Sequence, residues 1–197
     1  MTLTEDCSVA DYKLYSTSAL GGYDRDFDGA TLKEVAGLAV VSVAVPLDGK
    51  TALAAAVKSA FGCGLPKPAL SVLSKDKSVR LVPTQADQFF AVFEHAEADA
   101  ADQIAAKLGD AGYYTDQSDN WVTLALSGPI ARSALERICP IDLNPEIFKV
   151  NASARTVMHH LGTLILRTGD HSYLLMSTRS SALSFVHTVE TAVENLT

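Results

Sequence analysis

A chain of 197 residues, 48% hydrophobic and 20% charged, can bury one core or two small halves, which excludes a wholly disordered protein. Its formal net charge of −7, with no dense Lys/Arg cluster, would repel phosphate backbones and anionic lipid, so nucleic acid and membrane surfaces are excluded as partners. No apolar run approaches the roughly 20 residues of a spanning helix. Residues 1–10 lack a basic stretch followed by an apolar one, and a cytoplasmic location is expected.

Residues 1–33 mix small, polar and aromatic side chains without a sustained period, so they cannot build a core of their own. An N-terminal arm is expected, ordered only where it lies on another surface, with Tyr12, Tyr15 and Tyr23 as its contact residues. Residues 38–45 (LAVVSVAV) are rich in β-branched side chains and stop at Pro46, the pattern of a buried strand. Leu53, Ala54, Val57, Ala60 and Phe61 then recur at helical spacing, with Gly62 placed to end the helix. Residues 79–82 and 88–93 read as two strands across an 83–87 loop. A second helix follows, carrying Ala101, Ile104, Ala105 and Leu108 and ending at Gly109 or Gly112.

From Tyr113 the same order of elements returns. Residues 121–126 alternate as a strand and run into Ser127-Gly128-Pro129. A helix follows with Ile130, Ala134 and Ile138 on one face and Arg132, Ser133, Glu136 and Arg137 on the other. Strands are expected near 154–159, 163–167 and 173–177, with Gly162 and Gly169-Asp170 as turns. The last helix sets Ala182, Phe185, Val186, Val189 and Val193 against Glu190 and Glu194. The organisation predicted is an arm over 1–33, a first half over 34–112 and a second over 113–197. The fold class is α+β, two related sheet-plus-helix halves packed as one unit.

The chemistry-bearing residues are sparse. Pro129 suits a first helical position because its missing N–H would have no partner there, so the Ser-Gly-Pro turn is explained without a ligand. The alternative is a carboxylate or phosphate docked at that helix end beside Arg132. Cys7, Cys63 and Cys139 are widely spaced, with no Cys-x-x-Cys pair, and are expected to be buried thiols. His159 and His160 are adjacent in a strand end and point to opposite faces, while His95, His171 and His187 have no ligand-type i, i+4 partner; no metal is expected. There is no Gly-x-Ser-x-Gly, Walker-type loop or Gly-x-Gly-x-x-Gly, and the residues supply no catalytic site of their own.

One long stretch carries more. DQSDNWVTLALSGPIARSALERICPIDL, continued by FKVNASARTVMHHLGTLILRTGDHSYLLMSTRSSALSFV, resembles the gamma subunit family of heterotetrameric sarcosine oxidase, in the order and spacing of its pieces. Strand, Gly-Pro, Ala-Arg helix and downstream meander are also similar to the aminomethyltransferase and folate-binding families. The resemblance implies a noncatalytic gamma subunit, structural in role, in a complex that oxidatively demethylates sarcosine to glycine. Alpha, beta and delta subunits would be its partners. FAD, FMN, NAD and tetrahydrofolate would lie on those partners and none on this chain, and the arm would lie on alpha. Two alternatives stand beside it. One is a stand-alone folate-binding one-carbon protein with Arg155 or Arg167 meeting a glutamate tail; the other is a gamma subunit serving a different N-methyl amino acid dehydrogenase.

Overall fold

The computed structural model describes residues 17–197. The chain opens with β1 (Asp24–Phe27) and β2 (Ala30–Glu34), then runs through β3 (Leu38–Ala44) into α1 (Lys50–Phe61). A meander of β4 (Val72–Leu73), β5 (Val79–Gln85) and β6 (Gln88–Glu94) leads to α2 (Ala100–Leu108) and β7 (Tyr113–Asp116). The second round consists of β8 (Trp121–Ser127), α3 (Ala131–Glu136), β9 (Ser153–Met158), β10 (Leu161–Gly169), β11 (Ser172–Thr178) and α4 (Ala182–Glu194).

Two antiparallel sheets result, ordered β4-β5-β6-β3-β7 and β9-β10-β11-β8-β2-β1. Each is built from a strand, a helix, a three-strand meander and a second helix, with the strands in the same spatial order. The α+β fold of two related sheets is what the sequence predicts.

The layering follows from the two-residue period of strands. In β3, Ala39, Val41 and Val43 join the core beneath α1 and α2, while Val40 points the other way. In β6, Phe89 and Ala91 face those helices, whereas Phe90 and Val92 face the second sheet. The second sheet mirrors this: Ile165, Tyr173 and Leu175 face α3 and α4, while Leu164, Leu166 and Met176 meet Val40, Val82, Phe90 and Val92. The molecule therefore has four layers, helices outside and two sheets face to face within. α1 fits because Leu53, Val57 and Phe61 recur at i, i+4 and i+8 and are all buried. Gly62 ends it in the left-handed region at φ 66°, its N–H reaching Lys58 O.

Four expectations need correction. Residues 24–34 are not an arm: β2 pairs with β8 from Thr31↔Ser127 to Glu34↔Leu124, and Leu32 is fully buried. The weak period of this segment reflects an edge hairpin that borrows its core from later elements. β7 pairs with β3 in the first sheet, so that sheet extends to Asp116 and past the boundary at 112. The β5–β6 connection is tighter than 83–87, because Pro83 stays in the strand at a register shift. β4 pairs only with Arg80 and Leu81, so the missing N–H of Pro83 faces an unpaired edge. Finally, the β9–β10 turn is His159-His160, with His159 at φ 52°, and Gly162 lies within β10 opposite Val157.

Removal of residues 1–33 takes away β1 and most of β2, whereas removal of 1–16 leaves all of β1 to β11 in place. The shorter deletion is expected to retain one cooperative urea transition. The longer one should lose it or shift it strongly, because Leu32 leaves a vacated site over β8; circular dichroism with urea titration distinguishes the two.

Candidate functional site

The Ser127-Gly128-Pro129 turn has a structural role. Gly128 sits at φ 120°, and a Cβ there would stand 2.3 Å from Gly29 O and 2.8 Å from Ala30 Cα. Only glycine lets the β1–β2 turn approach so closely. The amides around it are already committed: Gly128 N–H donates to His171 O, Ile130 N–H to Gly29 O, and Ala131 N–H to Gly128 O. α3 itself begins at Ala131 and has six residues. This end of the helix thus anchors a hairpin.

The three arginines have different fates. Arg132 lies in the first turn of α3, and its Nη1 is 3.6 Å from Glu136 Oε1, a helical i, i+4 pair of partly exposed groups. Arg155 is exposed on β9 and lines an open cleft of about 750 Å³ with Gln117, Trp121 and Arg179. Arg167 is only 5% exposed. Its Nε donates to Gly169 O at 3.1 Å, its Nη1 to Phe148 O at 2.9 Å and its Nη2 to Asp170 O at 2.9 Å. That guanidinium closes the 145–148 and 169–170 turns and is unavailable to a glutamate tail. The sequence could not show this, because the carbonyls it satisfies lie up to 22 residues away.

The tyrosines and histidines likewise serve the fold. Tyr12 and Tyr15 lie outside the described residues. Tyr23 is half-buried on the second core, and its hydroxyl donates to Glu190 Oε1 at 3.0 Å. Burial first, then the Glu190 carboxylate, push this phenol up to about 12. Arg25 pairs with the same Glu190 and with Glu194, at 3.0 Å for the latter, so β1 is stapled to α4. Upstream, Glu34 accepts the N–H groups of Ala19, Leu20 and Gly22 at 2.8, 3.2 and 3.0 Å. Burial alone would raise its pKa; the donors, Ser18 hydroxyl included, outweigh it and lower it. His95 does have an i+4 partner, Asp99, with Nε2 and Oδ1 2.6 Å apart.

Among the described residues, no group of three or more His, Cys, Asp or Glu is placed to hold a metal ion. Burial raises the Cys63 thiol, opposite to the shift an activated nucleophile needs. Cys139 is buried at the end of the helix-turn segment, 3.9 Å from Thr156 Oγ1. No helix among the described residues is long and apolar enough to cross a membrane.

Comparison with known proteins accounts for this arrangement. A model described as "Sarcosine oxidase, gamma subunit family" matches residues 48–194. The chain belongs to that family. A sarcosine oxidase subunit gamma from Corynebacterium sp. (strain P-1) is 33% identical over 157 residues, covering 79% of this chain and 76% of the relative. That of strain U-96 is 33% identical over 160 residues, covering 80% and 76%. The match to an Arthrobacter sp. relative, also 33% identical, spans 62% of this chain and 60% of the relative. Among solved structures, a chain of the heterotetrameric sarcosine oxidase from Corynebacterium sp. U-96, in complex with pyrrole 2-carboxylate, superposes with a TM-score of 0.71 at 32% identity. It covers 84% of each chain. The glycine cleavage system aminomethyltransferase T from Bartonella henselae shares the fold at a TM-score of 0.65 and 15% identity, covering 89% of this chain and 57% of its own.

Two substitutions test the structural roles within this family member. Gly128→Ala should destabilise by at least about 2 kcal/mol, since the added methyl meets backbone and the φ is strained. Arg167→Leu should cost about 2 kcal/mol or more, because several carbonyls lose their donor together. Urea denaturation reads both, and parent-like midpoints would contradict the close approach and the carbonyl network.

A carboxylate supplies a pH test. The Asp76 carboxylate accepts from the Ser74 hydroxyl and from Ser78 N–H and hydroxyl, at 3.1 and 2.8 Å for the latter two. Those bonds lower its pKa from 3.8 to about 2. Because the folded value is depressed, the turn is held fully above about pH 3.8 and released as pH falls through about 2. An NMR titration of the Asp76 carboxyl should show the low midpoint, and Asp76→Ala, which removes the acceptor, should free the Ser78 amide to exchange at neutral pH.

Proposed function

We propose that this chain is a noncatalytic gamma subunit of a heterotetrameric sarcosine oxidase complex that oxidatively demethylates sarcosine to glycine, and that its role is to support assembly. The observation that carries the reading is the likeness, over 84% of both chains, to a chain of the Corynebacterium sp. U-96 complex. The named relatives, sarcosine oxidase gamma subunits, point the same way. The distribution of polar groups agrees: Arg167, Glu34, Tyr23 and Arg25 are all committed to turns or to the joint between β1 and α4. Alpha, beta and delta subunits are the partners in this reading. They hold FAD, FMN, NAD and tetrahydrofolate, and this chain supplies surface.

The test is co-expression of a tagged copy of this chain with the alpha, beta and delta subunits of such a complex. A four-subunit complex that oxidises sarcosine, with flavin retained on the partners after this chain is stripped away, is the expected outcome. Flavin bound stoichiometrically to the isolated chain, or a complex that forms and turns over equally well without it, would overturn the reading.

A further inference from the structure

A cleft of about 680 Å³ opens at the end of the sandwich where β3 and β5 begin and β6 ends. Its apolar lining includes Leu38, Val92, Ile104 and Leu174, contributed by both sheets and α2. Around that lining stand three cations, Lys77, Arg80 and Lys107, and one carboxylate, Glu94. In a chain with a net charge of −7, such a local excess of positive charge runs against the overall field.

Arg80 is the anomaly. It is half-buried, yet no carboxylate among the described residues pairs with it. Its Nη1 donates to Ser71 Oγ and to Asn151 Oδ1, both at 2.9 Å, and both acceptors are neutral. Nε and Nη2 have no acceptor among the described residues. Burial lowers its pKa, meaning that its desolvation is not offset by a counter-charge. Arginine is rarely buried unless paired.

We propose that this cleft is a binding site for a carboxylate carried on an apolar body. The guanidinium fork of Arg80 takes the carboxylate, Lys77 and Lys107 add positive charge at the rim, and the apolar lining takes the remainder. The volume lies in the range of small-molecule sites, roughly 300–1,000 Å³. Two of the three cationic residues are restrained beforehand, Arg80 at its side chain and Lys77 at its backbone. Arg80 is fixed by Ser71 and Asn151, and Lys77 occupies the left-handed region at φ 62° in the turn that Asp76 ties to Ser74 and Ser78. The carboxylate is either that of a free acid or that of an aspartate or glutamate side chain on a partner subunit.

Isothermal titration of the full chain with hexanoate, and with hexanamide as the uncharged control, tests the site. Hexanoate should bind saturably in the millimolar range or tighter, at least roughly tenfold more tightly than the amide, and should weaken as salt rises. Arg80→Gln should abolish binding. Because Arg80 also links Ser71 to Asn151, the double variant Lys77→Gln/Lys107→Gln provides a second measurement; it should bind hexanoate several-fold more weakly while still unfolding in one cooperative urea transition, since Lys107 loses only its cation–π contact with Phe61. Absence of saturable binding, equal binding of hexanamide, or parent-like affinity in the lysine variant would overturn the proposal. Repeating the titration on the assembled complex separates the sources: loss of hexanoate binding assigns the carboxylate to a partner's side chain, and retention assigns it to a free acid. The result on the chain alone does not depend on assembly, so failure of the subunit reading and failure of the cleft are distinguishable.

Discussion

Two sheets packed face to face, each with helices on its outer side, require most strands to be apolar on both faces. Val40, Val82, Phe90 and Val92 of one sheet meet Leu164, Leu166 and Met176 of the other. Each side chain of this kind contributes roughly 1.5–3 kcal/mol when fully withdrawn from water. Few polar groups enter that layer, and the Trp121 indole N–H beside it has no acceptor among the described residues. Ser42 Oγ accepts from Gln88 Nε2 at 2.7 Å. A seam of this kind is held mainly by apolar packing.

At one end of the seam the two halves are pinned through Asn151. It sits at φ 71°, a conformation that asparagine tolerates better than most residues. Its N–H donates to Arg167 O, its carbonyl accepts from Ser71 N–H, and its side-chain oxygen accepts from Arg80. Arg80 belongs to the first sheet and Arg167 to the second, so one residue carries hydrogen bonds from both. The 2.9 Å bond from Arg80 crosses between sheets and leaves the remaining guanidinium N–H groups directed elsewhere. Fixing an arginine in this way limits the rotamer entropy lost when an anion meets it.

The second sheet is completed from the other end of the sequence. β2 occupies beside β8 the place that β7 occupies beside β3. The first half therefore makes its fifth strand from the segment C-terminal to α2, and the second half takes its counterpart from the segment N-terminal to β3. The close contact of Gly29 with Gly128, and the Arg25 and Tyr23 bonds to α4, hold that borrowed hairpin. This gives the Gly-Pro turn a purpose that involves no ligand.

The sequence by itself determined the elements that carry a strong local period. The i, i+4 pattern of Leu53, Val57 and Phe61, the β-branched run at 38–45 and the glycine at 62 encode local preferences, and local periods are readable without knowing the partners. It also carried the family likeness, which lies in the order of many short pieces. The tertiary structure decided what depends on distant neighbours. The pairing of 24–34 with β8, the burial of Arg167 among carbonyls and the placing of β7 in the first sheet all join residues far apart in the chain. Edge strands and buried cations carry little local signal, since a strand's hydrogen bonds and a charge's counterparts belong to whatever lies beside them in space. For the same reason the cationic cleft around Arg80 was invisible in a chain whose overall charge is negative.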